Sequence, residues 1–326
     1  MRKKIIFVFF IFVLCKPVLV SAQVCCGGGV YDVAVLSLNK RALFNFGYKF
    51  DNFMGVWDYE KDWRENNNTV YQMIPSLSSA YRFNKQIQAG VLIPFYINKL
   101  ESPGLPSNGA GIGDIVINGR YEFFHEYGLY KEKGKLKRDE STPYLAATLG
   151  FTFPSGTSDE SAESEVDITG KGYFTSNLGI SVIKTVFKDK LQLGADLSWQ
   201  HSFEKTYEKY YGEELSQPYT RQQGDRFNYA LTVNYLLNYW HSASFSFGGF
   251  LMNNYKLDNS EQENTNENAV NFVISYTYYP SEVIRISPLF KWNIFSSGMG
   301  KNAPGSYLLG LNIVYYIENL EPDNFR

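Results

Sequence analysis

The sequence predicts an all-β fold, a transmembrane up-and-down antiparallel β-barrel of about twelve strands. Three observations predict it. Apolar and polar residues alternate with period 2 over segments of about ten to fifteen residues, long and short connections alternate between those segments, and aromatic residues gather near segment ends. The 326 residues include 25 Tyr, 25 Phe and 5 Trp, yet the mean hydropathy is only −0.27. That combination excludes a bundle of transmembrane helices, each of which needs roughly 20 consecutive apolar residues. Three cysteines exclude a disulfide scaffold. With 31 Lys+Arg against 33 Asp+Glu, the chain has no basic excess, so no nucleic-acid partner is expected.

The N-terminus reads as an export address. Arg2, Lys3 and Lys4 precede the apolar stretch 5–14, and Val20-Ser21-Ala22 supplies the short residues of a cleavage site. Residues 1–22 are therefore expected to be a signal peptide, 23–40 an N-terminal periplasmic leader, and 41–326 the barrel. Export of such a barrel implies the outer membrane of a Gram-negative bacterium, with its lipid as the surrounding partner. Cys25 and Cys26 follow the cut, but two thiols without a nearby His make an incomplete metal site. No metal and no cofactor are expected. Val24 before Cys25, and Leu14 before Cys15, argue against lipidation.

Strands are expected near 41–50, 70–83, 86–98, 113–124, 143–154, 172–185, 190–203, 225–237, 241–256, 268–279, 283–296 and 306–317. The segment 227–238 is the clearest. Phe227, Tyr229, Leu231, Val233, Tyr235 and Leu237 share one face, while Asn228, Ala230, Thr232, Asn234 and Asn238 share the other. The same sorting separates Leu191, Leu193, Leu197 and Trp199 from Gln192, Asp196, Ser198 and Gln200. Short connections (84–85, 187–189, 239–240, 280–282) alternate with long polar ones (51–69, 99–112, 155–171, 204–224, 257–267, 297–305). The exception is 125–142, a long, Lys-rich connection on the short-turn side. A soluble sandwich also alternates, but its strands are typically 5–6 residues. Most segments here meet the roughly 9–11 residues that cross a bilayer.

The inward phase predicts a lumen wall containing Arg41, Arg82, Asn118, Arg120, Glu122, Asp196, Asn234, Arg285 and Lys291. Basic groups outnumber acidic ones in it, which would bias a pore toward anions or polar solutes. The competing arrangement is a hydrogen-bonded plug, in which Arg120 and Glu122, two apart on one face, neutralise each other or their neighbours. Twelve strands imply a narrow lumen partly filled by side chains.

Gly111-Ile112-Gly113-Asp114, then Arg120-Tyr121, then Phe153-Pro154-Ser155-Gly156 at the end of the next strand form a recognisable series. It resembles the outer-membrane transporter-like family named for the MetA pathway of phenol degradation. The motif residues are Gly111, Gly113, Asp114, Tyr121, Pro154 and Gly156. The glycines permit a tight turn into the strand, and Asp114 can cap exposed backbone donors. The resemblance implies an outer-membrane barrel that moves small aromatic or hydrophobic compounds. It implies no residue-level substrate site.

An enzyme is the first competing class. Barrel lipases place His and Ser two apart on one strand face. His125, His201 and His241 are followed at that spacing by Tyr127, Phe203 and Ala243, so no catalytic residue is assigned and cross-strand pairing is the remaining route. The alternative function is a non-conducting scaffold or adhesin built on loops 51–69 and 204–224. There Trp57, Trp63, Tyr207, Tyr210 and Tyr211 offer a surface for a partner or a cover for the barrel mouth. The principal expectation is a passive transporter or channel for an unnamed small solute.

Overall fold

A computed structural model describes residues 35–36, 40–101, 107–123, 129–132, 135–138, 143–187, 190–238 and 240–319. The expected signal peptide, Cys25, Cys26 and His125 lie outside the described residues. In chain order the strands are β1 (Lys40–Trp57), β2 (Trp63–Arg82), β3 (Ile87–Glu101), β4 (Ser107–Ile112), β5 (Ile115–Glu122), β6 (Leu129–Glu132) and β7 (Lys135–Arg138). They continue as β8 (Tyr144–Phe153), β9 (Thr175–Val186), β10 (Leu191–Ser202), β11 (Lys205–Tyr210), β12 (Glu213–Gln222) and β13 (Arg226–Asn238). The last are β14 (His241–Met252), β15 (Lys256–Leu257), β16 (Ser260–Glu261), β17 (Glu267–Ser281), β18 (Ile284–Asn293), β19 (Gly300–Lys301) and β20 (Pro304–Asn319).

Twelve crossings close on themselves. The path runs β1-β2-β3-β5-β8-β9-β10-β13-β14-β17-β18-β20, and β20 pairs antiparallel with β1. Closure removes both sheet edges, which a bilayer would not tolerate. Segments β4 and β5 form one crossing interrupted at Gly113-Asp114, because β3 pairs with both of them. All twelve predicted segments appear as crossings.

The pattern of burial is inverted relative to a soluble protein. In β13, Leu231 is 61 % exposed while Thr232 is 4 % and Asn234 1 %. Apolar side chains therefore line the outer wall and hydrogen-bonding groups the inner one, as alternation requires once the outside solvent is hydrocarbon. Tyr81–Phe83 and Tyr121–Phe123 form edge-to-face pairs at the short-turn end. Trp199 and Phe203 flank His201 near the long-loop end.

The connections depart from the sequence expectation. Residues 51–69 are mostly strand, because β1 and β2 run on past the bilayer length to a tip at 58–62. Trp57 is wholly buried there and packs on Trp63 and Phe295. Residues 204–224 form the hairpin β11–β12, which joins β15–β16 in a separate four-stranded sheet. The basic connection 125–142 contains the hairpin β6–β7.

Candidate lumen and its two ends

The short-turn end of the barrel interior is packed. Leu43 of β1, Ala80 of β2 and Val314 and Tyr316 of β20 enclose Leu36, which precedes the first strand. Beside this cluster Arg82 and Glu122 form an ion pair with both side chains 0 % exposed. Arg82 Nη1 and Nη2 donate to Glu122 Oε2 and Oε1 at 2.7 and 3.1 Å. Gln88 Nε2 donates to the same carboxylate, while its Oε1 accepts from the Leu36 N–H at 2.8 Å. Arg82 also donates to the carbonyls of Lys40 and Lys85. A guanidinium fork and a carboxylate with nearly every site filled offset much of the cost of taking both charges out of water.

The middle of the lumen is lined from the inward phase. Arg120 Nη1 reaches the hydroxyls of Thr148 and Ser181, each at 3.4 Å, and the guanidinium stands over the Tyr144 ring. Asp196 faces it from β10 within electrostatic reach. Asn234 Nδ2 donates to Gln192 Oε1, and Asn45 Nδ2 to Ser78 Oγ. Arg285 stands over Tyr316. Asn118 shares the inward phase of Arg120 and Glu122. Lys291 and Asp51 both register with the inward Leu308 of β20, and Lys49 lies close enough to act electrostatically on both. Lys49 lies in the inward phase that the sequence predicts, whereas Asp51 falls in the segment 51–69 that the sequence presents as a loop.

One sequence reading changes, and one alternative it left open is decided. Arg41 does not face the lumen: it is exposed at the short-turn rim, where its Nε donates to the Tyr81 hydroxyl on the outer wall. Burial alternates regularly only from Leu43 onward, with Lys40 buried and Arg41 exposed before it, so phase counting fails at the first residues of the strand. Glu122 is held bidentately by Arg82 from β2 rather than being reserved for Arg120, its neighbour two residues away. Cross-strand geometry brings the Arg82 fork into line with the carboxylate, which same-strand spacing does not.

The long-loop end carries an inward-folded cap, residues 154–174, with a single 3-10 turn at Glu165–Asp167. The motif residues converge on it. Asp114 Oδ1 accepts from the Gly156 N–H at 3.1 Å and Oδ2 from the Lys171 N–H at 2.7 Å. Asn98 Nδ2 donates to the carbonyls of Val166 and Ile168, both at 2.8 Å. Thr169 Oγ1 donates to Ile112 O, and Ser155 Oγ to Gly113 O. A Cβ on Gly109 would stand 2.1 Å from the Val166 carbonyl oxygen, and one on Gly111 3.1 Å from Thr169 Oγ1. The glycine spacing therefore makes a smooth inner face on which the cap backbone lies. Pro154 is exposed at the rim, and Tyr121 sits in the outer aromatic girdle at the opposite end.

The outer sheet clamps the cap. Lys205 Nζ pairs with Glu160 at 2.7 Å and stands over the Tyr207 ring, which stacks on Tyr219. The Tyr211 N–H donates to Asp159 O. The hydrogen bond from Lys205 holds the Glu160 carboxyl below its ordinary range, and burial pushes the Tyr207 hydroxyl up to about 12. Lys171 is wetted yet surrounded by protein, and burial followed by the nearby Arg226 lowers its pKa. Of the five loop aromatics, Trp57 and Tyr207 are buried and only Tyr210 presents much of its ring.

His201 Nδ1 lies 2.7 Å from Asp225 Oδ1, and His241 Nδ1 contacts the Tyr276 hydroxyl. Among the described residues, Asp58, Glu60 and Asp62 form an acidic group at the β1–β2 tip. There Asp58 Oδ1 already accepts two backbone N–H groups and Oδ2 pairs with Arg64.

A closed wall of twelve strands with an apolar exterior and a hydrogen-bonded interior defines an outer-membrane β-barrel of a Gram-negative bacterium. The chain belongs to the family described as putative MetA-pathway of phenol degradation, whose pattern matches residues 65–290. Among solved structures it is similar to the COG4313 outer membrane channel from Pseudomonas putida F1 (TM-score 0.67, 12 % identity, 90 % of this chain and 100 % of that one). Lower similarity links it to the translocator domain of autotransporter NalP from Neisseria meningitidis (TM-score 0.47, 9 % identity, 85 % and 88 % covered). The TodX monoaromatic hydrocarbon channel, a deletion mutant, gives a TM-score of 0.42 at 9 % identity over 85 % and 90 % of the two chains. Comparison with curated protein sequences gives no match.

Proposed function

We propose that the chain is a passive channel for small aromatic or hydrophobic molecules, with a lumen narrowed at both ends. The observation that carries the reading is the wetted inner wall between the two constrictions. Lys49, Asp51, Lys291, Asp196 and Arg120 stand there inside a closed cylinder, whereas a purely structural barrel would fill that space. The first similar structure is described as an outer membrane channel, and the family description concerns phenol degradation. The first supports a channel, and the second a small aromatic solute.

No catalytic residue is assigned, and the similar structure with a TM-score of 0.67 is described as a channel. Conductance across planar bilayers and swelling of liposomes in phenol-sized solutes test the proposal together. Solute passage that rises when the cap is loosened supports it. A protein that neither conducts nor admits solute, with or without the cap, is a sealed scaffold and overturns it.

A further inference from the structure

Toward the long-loop end of the lumen, cations outnumber carboxylates. Lower in the barrel Arg82 is matched by Glu122, and Arg120 faces Asp196. Higher up, Arg226 shares the inward phase of Asn228, Thr232 and Asn234 on β13, within electrostatic reach of Lys171 on the cap and Lys291 on β18. Lys49 on β1 reaches Lys291 in the same way, and Arg221 adds its field from the outer sheet. Three carboxylates stand among these five cations: Asp51, Asp114 and Glu267. Both oxygens of Asp114 are already taken up by the Gly156 and Lys171 N–H groups. Among the described residues, the ammonium groups of Lys171 and Lys291 have no ion-pair or hydrogen-bond partner.

Apolar side chains flank these cations on the same inner face. Lys291 registers with Val273 of β17 on one side and with Leu308 of β20 on the other. Register partners project to the same side of a sheet, so all three share the lumen wall. The Arg226 guanidinium carbon stands 3.7 Å from the centroid of the Phe250 ring, and its Nε donates to Asn228 Oδ1 at 2.8 Å. Stacking on a ring fixes the guanidinium without cancelling its charge. An apolar wall with a few placed charges is the usual make-up of a small-molecule site.

Like charges held close together in a narrow cylinder repel, and an entering anion relieves that repulsion while an entering cation adds to it. Inorganic anions meet the charge but leave the apolar flanks unused. A neutral aromatic molecule uses the flanks but not the charge. We infer that the solute of this channel is an aromatic carboxylate, drawn in by Lys171, Arg226 and Lys291, with its ring against Val273 and Leu308. The inference rests on the channel reading given above and adds the charge of the solute and the residues that select it.

The test uses the full-length protein in planar bilayers. Reversal potentials under gradients of KCl, potassium benzoate, potassium acetate and benzylammonium chloride give each ion's permeability, corrected for its free mobility. Benzoate is expected to permeate at least about tenfold better than benzylammonium, its counterpart of opposite charge. It should also pass better than acetate, which lacks the ring. The double variant Arg226→Gln/Lys291→Gln should lower the ratio of benzoate to benzylammonium at least about threefold. Unchanged heat-modifiable gel migration would certify that variant as folded, and the wild-type comparison stands without it. Benzylammonium permeating as well as benzoate overturns the inference. So does acetate matching benzoate, since a plain anion preference needs no aromatic solute, and so does a folded double variant with the wild-type ratio. Each of these results leaves KCl conductance, and with it the channel reading, intact. A protein that conducts none of the four salts, even with the cap loosened by Asp114→Ala, overturns both.

Discussion

At the scale of single residues, the interior of this barrel depends on charges that are fully spoken for. Arg82 and Glu122 lose all contact with water; they satisfy each other, Gln88 donates to the carboxylate, and backbone carbonyls accept from the guanidinium. Removing one partner strands the other in a medium that cannot solvate it. Arg82→Ala is therefore expected to destabilise the barrel by about 3–5 kcal/mol, read as a lower urea midpoint in detergent micelles. Replacing both, as Arg82→Met with Glu122→Leu, should recover most of that loss; a double variant as unstable as the single one would contradict the pairing argument. Asp114 works differently, because its carboxylate holds backbone N–H groups from both ends of the cap. Asp114→Ala should release the cap with little effect on the wall, raising single-channel conductance while the unfolding midpoint stays within about 1 kcal/mol of wild type.

At the scale of elements, the cap 154–174 is the part whose position is adjustable. It is bound by side-chain contacts and by close backbone approach over Gly109 and Gly111, not by the strand ladder. Gly109→Val would place a side chain where the Val166 carbonyl now lies, and it should displace the cap and increase liposome permeability. The outer clamp responds to acid. The folded Glu160 carboxyl titrates below its ordinary value of 4.5, so the Lys205 pair contributes fully above that value. Its contribution fades as pH falls through the lower, folded value. Amide exchange at Tyr211 and Gly212, corrected for intrinsic rate, should speed up on acidification below pH 4.5. Lys205→Met should weaken that pH dependence, because the carboxyl then loses its hydrogen-bonded ammonium and keeps only the Glu208 N–H and the field of Lys209.

At the scale of the whole molecule, the barrel is stable only in a medium that rewards its inverted faces. Leu231→Arg, near the middle of β13 on the outer wall, is expected to cost about 2–4 kcal/mol in bilayers. The neighbouring Thr232→Asn, facing the lumen, should cost far less; equal penalties at the two positions would mean that the outer wall does not face lipid. Alternation made the twelve crossings and their faces legible, since a period of 2 needs no tertiary information. Loop architecture was less legible. Segments 51–69 and 204–224 are polar enough to read as connections, yet they form strands because Trp57, Trp63 and Phe295 pack at the first and Tyr207 stacks on Tyr219 in the second.

What the sequence determined by itself was local and periodic: strand number, inner and outer faces, and the Gly-x-Gly-Asp series as a special place in the wall. Only the closed structure decided which charges meet. Arg82 and Glu122 lie 40 residues apart, and Trp199, Phe227 and Leu251 become a single row only when β10, β13 and β14 register. The reason is physical: a strand's own spacing decides which side its residues face, but partners across a barrel are chosen by shear and register, which belong to the closed sheet as a whole.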